Sequence, residues 1–329
     1  MKKVPISLII DDPAPVISVH AVHAKDPLTR DGRARVPFFP NSKLFEFCDI
    51  IERHGIRGKF SVVPMPANKG DLIGGIEGVS PFALEEWLST VRTRVTPLFS
   101  VGPEMLSHHK AVDLNTGLPL DEREDVWSAH QDRTTLTPYI TRALSILKEA
   151  GFAPLGVTSP WDFGIAVEEE YTHAILDAVT SVTGSPLAWY FLRSLKGVPN
   201  ARPWVALSKE GRTLVSIPAT VRDYFWQTID TTEQSDAYVQ SIADLLITPD
   251  GRGGDIPQML SIGGFPILVT HWQSLMSNGL FTGLRVLDEV GRRVNTMLCD
   301  RVEWTRFEEI MRMVASNPEE YPTPFEKNQ

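Results

Sequence analysis

Short apolar runs rich in β-branched residues alternate with segments of helical periodicity along nearly the whole chain, and this alternation limits the folds open to it. Val4 to Ile10 reads as a strand, and Ser42 to His54 reads as a helix with Leu44, Phe45, Phe47, Cys48, Ile50 and Ile51 on its apolar side. Gly55 stops that helix, and Lys59 to Val63 is the next strand, closed by Pro64 and Pro66. The pattern continues with a helix over Pro81 to Thr93, a strand over Pro97 to Val101, a helix over Thr137 to Ala150 and a strand over Pro154 to Val157. A helix over Glu168 to Thr183 precedes strands at Leu187 to Leu192, Val205 to Leu207 and Leu214 to Ile217. Then come a helix over Glu233 to Leu246, a strand over Pro266 to Thr270, a helix over Leu280 to Asn295, a strand over Arg301 to Glu303 and a helix over Trp304 to Ala315. Repeated crossovers of this kind make a parallel sheet, and the repetition favours an α/β fold closed into a barrel over an open sheet.

The chain has 329 residues, against ~250 for a typical closed α/β barrel before insertions. No Pro/Gly/Ser-rich linker or internal repeat divides it, so residues 1–329 are read as a single domain, with a frayed tail after Asn317. Pro13 to Asn41, Gly102 to Leu136 and Thr248 to Gly264 are long and rich in turn residues, as expected of loops on one rim. A formal charge of −9 argues against nucleic acid or an anionic membrane as partner. Cys48 and Cys299 are the only cysteines, which implies no disulfide framework. The apolar start of the chain runs into two aspartates and no stretch approaches the ~20 apolar residues of a membrane span, so a cytoplasmic, soluble protein is expected. Oligomeric state leaves no signal in the sequence.

Chemistry gathers at the ends of the strands. Asp11 and Asp12 follow four apolar residues, and because neighbouring side chains on a strand point to opposite faces, one can bind metal while the other handles protons; a turn or helix cap is the competing use of Asp-Asp-Pro. Beyond the third strand, Gly102 to Asp113 concentrates His108, His109, Glu104 and Asp113, and imidazole with carboxylate suits zinc and similar divalent ions. His109 and Asp113 share a helical face, whereas His108 and Asp113 meet only in a looser loop. His271 ends the late strand beside Trp272, a position suited to an acid or base, with a hydrogen-bonded core histidine as the competing use. In Thr158 to Gly164, Trp161 is placed to stack on a sugar face and Asp162 to bond hydroxyls, and Ser216 to Trp226 is a second aromatic and polar segment suited to lining a cleft; a packed turn for the first and core plus turn for the second are the competing uses. There is no phosphate-binding glycine loop with its lysine and no Gly-x-Ser-x-Gly elbow, which disfavours nucleotide hydrolysis and serine-hydrolase chemistry.

With Asp11-Asp12, Gly58 to Pro64, Glu104-Met-Leu-Ser-His108, Ser159-Pro-Trp161, Ser216-Ile-Pro218 and Leu268-Val-Thr-His271 in this order, the chain resembles the polysaccharide deacetylases of the glycoside hydrolase/deacetylase barrel superfamily. The resemblance implies an irregular (β/α) barrel of about seven strands and metal-assisted removal of an acetyl group from an N-acetylated carbohydrate, with Asp12 as metal ligand, Asp11 as general base and His271 as acid. It also implies a divalent cofactor, zinc first among them. The family's His-x-x-x-His pair is not intact: four residues on from His108 stands Val112, and four on from His109 stands Asp113. His108 is therefore expected as a ligand with Asp113 as a substitute, His109 being the rival if a helical turn forms. Thr158 and Ser159 stand where an arginine orienting the base is expected. Trp161 and Trp272 would contact the substrate and close the site against water.

Two other readings compete. A metal-independent glycoside hydrolase of the same superfamily would pair Asp11 or Asp12 with Asp162 across a glycosidic bond. A non-catalytic carbohydrate-binding protein would use Trp161, Trp226 or Trp272 without turnover.

Overall fold

The computed structural model describes residues 3–22 and 27–325. Its centre is a parallel sheet on which β1 (Val4–Asp11) lies between β8 (Ile267–His271) and β2 (Gly58–Val62), with β3 (Phe99–Pro103) beyond β2. β1 is buried from Ile6 onward, and strands buried on both faces read as continuous apolar runs rather than alternating ones. The start of β1 also pairs with β9 (Val302–Trp304), which takes Trp304 out of the following helix. A second sheet has the order β6 (Trp204–Lys209), β7 (Arg212–Ser216), β5 (Leu187–Phe191), β4 (Gly156–Thr158).

The two sheets touch at two places. A bridge joins Glu104 to Thr158, and beyond β7 the amides of Thr220 and Val221 both donate to the Ile267 carbonyl, at 2.9 and 3.1 Å. β6 and β7 form an antiparallel hairpin, correcting the expectation of parallel crossovers throughout: Glu210 and Gly211, both at positive φ, leave no room for a crossover. Close approach fixes one glycine. A Cβ on Gly156 would lie 2.1 Å from the Trp189 ring, so β4 runs directly against that side chain.

Helices cover the sheets: α1 (Asn41–His54), α2 (Pro81–Thr90), α3 (Arg133–Glu149), α4 (Glu168–Thr183), α5 (Asp236–Leu246), α6 (Thr282–Met297) and α7 (Phe307–Ser316). α1 turns Leu44, Phe47, Cys48, Ile50 and Ile51 into the core and ends at Gly55 in the left-handed region, as its sequence requires. α3 begins ahead of its apolar periodicity because the Asp132 side chain caps Thr135 N at 3.0 Å. No described helix is long and apolar enough to cross a membrane.

The long loops carry short structure. Residues 102–136 hold an antiparallel ladder, Lys110–Val112 with Pro119–Arg123, and a short helix, Glu124–Ser128. Residues 248–264 hold a short helix, Asp255–Ser261. Past Asn317, Tyr321 is buried edge-on to Phe265, and the exposed Phe325 lies edge-on to Trp204.

Candidate active site

β1 delivers Asp11 in register with His271 of β8, so parallel pairing alone brings an acid and an imidazole to the same end of the sheet. The strand stops there. Asp12 turns into the left-handed region at φ 65°, and the loop after β3 does so twice, at Met105 (φ 39°) and His108 (φ 51°). Left-handed conformations are costly outside glycine and persist where surrounding contacts over-determine them. At this site those contacts come from Glu124, a fully buried carboxylate that accepts the amides of Leu106, Ser107 and His108 at 3.0, 2.9 and 2.8 Å and the Tyr139 hydroxyl at 2.7 Å. Burial raises Glu124 to about 7 in spite of these four donors.

This scaffold brings Asp12, Glu104 and His108 together, each buried and each offering one ligand atom within 4.8 Å of the others. His108 Nε2 lies 3.1 Å from Asp12 Oδ1 and 3.8 Å from Glu104 Oε1, while the Asp12 amide donates to Glu104 Oε2 at 2.7 Å. Neither Asp12 carboxylate oxygen receives a hydrogen bond of good geometry. Burial disfavours charge on Asp12, but His108 and His271 hold its carboxyl below the usual range; burial and the neighbouring Asp12 and Asp11 charges push Glu104 well above it. Two carboxylates and an imidazole converging on one point, with buried oxygens lacking donors, fit a divalent cation.

Asp11 meets the opposite circumstances. Lys59, fully buried on β2, donates to Asp11 Oδ1 at 2.5 Å, to Thr158 Oγ1 at 2.6 Å and to Ser61 Oγ, and its ammonium lies over the Phe191 ring at 4.6 Å. A cation therefore does face Asp11, but it comes from β2, and Thr158 is one of its partners. Lys59 is hard to find in sequence because Lys-Phe-Ser-Val-Val looks like an ordinary strand with its lysine at the edge.

Across the cleft His271 Nδ1 pairs with Asp223 Oδ2 at 2.7 Å, and the Trp226 ring stands edge-on at 5.1 Å. Loss of solvent around the ring opposes its charge, yet Asp223, Asp12 and Asp11 together raise His271 to about 9. His271 is thus an imidazolium at neutral pH. The cleft between these groups has a volume of about 420 Å³ and includes Trp161, Arg193 and Gln273 in its wall.

Other expected site residues lie elsewhere. Asp113 sits in the turn of the 110–123 ladder, where its carboxylate accepts the Asn115 amide at 2.8 Å, and it is absent from the ligand cluster. Glu104 takes the third position instead, and counting back four residues from His108 finds it. His109 bonds Asn68 at 2.8 Å, outside the cleft. Trp272 is a correction: fully buried, it stacks on Phe39 at 4.0 Å, meets Phe47 and Phe60 edge-on and donates to the Ala14 carbonyl, so it is a core residue and not a substrate contact. Trp161, at φ 48°, lies on the cleft wall, where the His108 ring stacks on it at 4.3 Å and the Arg123 guanidinium at 4.6 Å. Asp162 is exposed and outside the cleft wall, so the carboxylate pair needed for the glycosidase reading is not assembled there.

Neither a family model nor a curated protein matches the chain. Solved structures do. A protein from Mycobacterium smegmatis named a polysaccharide deacetylase superposes with a TM-score of 0.56 at 14% identity, over 100% of this chain and 95% of that one. A peptidoglycan N-acetylglucosamine deacetylase in complex with a substituted N-hydroxybenzamide gives 0.45 at 10% identity, over 94% and 89% of the two chains. A 4-alpha-glucanotransferase from Thermococcus litoralis gives 0.46 at 9% identity, over 95% of this chain and 40% of that one. The first likeness places the fold with that of the Mycobacterium protein.

Proposed function

We propose that the chain hydrolyses the acyl-amide bond of an N-acetylated carbohydrate with the help of a divalent metal ion. The observation that carries this reading is the convergence of Asp12, Glu104 and His108 on one buried point, with Asp11 and His271, the latter paired with Asp223, lining the same cleft. We also take the two sheets as the wall of one irregular barrel in the strand order β8, β1, β2, β3, β4, β5, β7, on the strength of the contacts at both seams.

Asp12, Glu104 and His108 would hold the ion. A bound divalent ion lowers the pKa of water and withdraws electrons from an acyl carbonyl. Asp11 takes the proton from the attacking water, its carboxylate fixed by Lys59 and Ser61. His271, protonated at neutral pH and held by Asp223, donates to the nitrogen of the departing amine. Trp226, nearly half exposed at the cleft mouth, offers an aromatic surface for a sugar ring. The name of the Mycobacterium smegmatis protein supports a carbohydrate as substrate.

The test is incubation of tag-free, metal-replete protein with N-acetylated mono- and oligosaccharides while acetate and free amine are both measured. Equal release of the two, lost in Asp11→Asn and His271→Gln, is the expected result. Saturable binding without either product, or cleavage of glycosidic bonds that survives chelation, would overturn it.

A further inference from the structure

We infer that the Asp12, Glu104 and His108 centre is biased toward a hard, oxygen-preferring ion of the manganese(II) type and away from zinc, and that Glu104 sets the bias. The inference rests on the metal-binding reading above. Its first ground is the donor set. The cluster holds two carboxylates and one imidazole, with Glu104 standing four residues before His108. Imidazole favours zinc, copper, iron and nickel, while carboxylate, carbonyl and water suit magnesium, calcium and manganese. Asp12 and Glu104 make two of the three ligands carboxylates, whose combined formal charge balances that of a divalent ion.

The second ground is the posture of Glu104. Its Oε2 is engaged by the Asp12 amide at 2.7 Å, and its Oε1 turns toward His108 Nε2 at 3.8 Å. The side chain is therefore anchored through one oxygen and presents the other to the point that His108 faces.

A third, independent observation concerns Gln273. This side chain is 1% exposed and lines the cleft with Asp12, and its Oε1 has no hydrogen-bond partner. A buried carboxamide oxygen with no donor, beside a ligand carboxylate, provides an uncharged oxygen for the ion or for a water that completes its shell. Structural zinc sites close with four donors, whereas manganese and magnesium take six, mainly oxygens and waters. Absolute affinities still follow the general order in which zinc outranks manganese, so the property that Glu104 controls is the ratio between the two.

The experiment titrates Mn²⁺ and Zn²⁺ separately into tag-free, metal-stripped wild type and Glu104→His, by calorimetry with a competing chelator for the tighter ion. The zinc-to-manganese affinity ratio is expected to be about tenfold or more lower in wild type than in Glu104→His. An equal or higher ratio in wild type overturns the inference and leaves the metal-binding reading standing. Wild type that binds neither ion removes both. Glu104→Gln, which keeps an acceptor for the Asp12 amide, guards against a misfolded histidine variant. With a wild-type melting profile it should lose more affinity for Mn²⁺ than for Zn²⁺, and equal losses would also count against the inference.

Discussion

On the strand side of the cleft, Asp11 meets a lysine, and both groups are enclosed in a network that also includes Ser61 and Thr158. On the loop side its neighbour Asp12 meets a histidine and a second carboxylate, and neither of its oxygens has a well-aligned donor. The strand side is satisfied by the protein alone. The loop side gathers groups that repel or leave one another unsatisfied, and Glu124 holds its backbone in place from behind. The difference teaches which of the two acids awaits an ion: a buried carboxylate with its own cation has no need of a second one, whereas one without donors marks where an outside ion would bind.

The largest effect expected from this contrast is on Lys59. Lys59→Met leaves Asp11 buried without its cation and should cost roughly 3–5 kcal/mol in urea unfolding. Asp11→Asn combined with Lys59→Met should recover a good part of that loss; a double variant as unstable as the sum of the singles would show that the network is not the unit described.

Glu124→Ala removes the acceptor for three loop amides and should cost about 1–3 kcal/mol. Because the loop carries Glu104 and His108, divalent-ion affinity should fall roughly 10–100-fold as well. A stability loss with unchanged affinity would mean that the ligands are positioned from elsewhere.

A smaller effect is expected at Asp223. His271 is raised above the ordinary histidine range to about 9, so its pairing contributes fully below the unfolded value near 6.5 and fades as the pH climbs through 9. Asp223→Asn should lower stability near pH 6.5 by on the order of 1–2 kcal/mol, allowing for solvent contact with the ring, and should match wild type at pH 10. A deficit that persists at pH 10 would assign Asp223 a packing role. Trp226→Ala, at an exposed site, should change stability by less than about 0.5 kcal/mol while weakening saccharide binding. Unchanged binding would move the sugar surface to another wall of the cleft.

Much of this contrast lies beyond local patterning. The core strands are legible because each is a short run buried on both faces, and α1 because its apolar stripe ends in a left-handed glycine. The 110–123 ladder and the five-residue helix after it are too short to set a period. Asp11, Asp12, His108 and His271 stand out as polar residues at strand ends, but Glu104 emerges only by counting backward from His108, and Asp113 looks equivalent until a turn claims it. Lys59 and Glu124 are buried charges defined by distant partners, and no local pattern encodes those. Trp272 directly follows His271, but the short helix it opens carries the indole into the core.

The central claim is tested most directly by elemental analysis of protein purified without a polyhistidine tag or chelator, beside an Asp12→Ala control shown to be folded. The account predicts about one divalent ion per chain in wild type, or uptake to that level on addition, and none retained by the control. A folded wild type that neither carries nor takes up a divalent ion would contradict it.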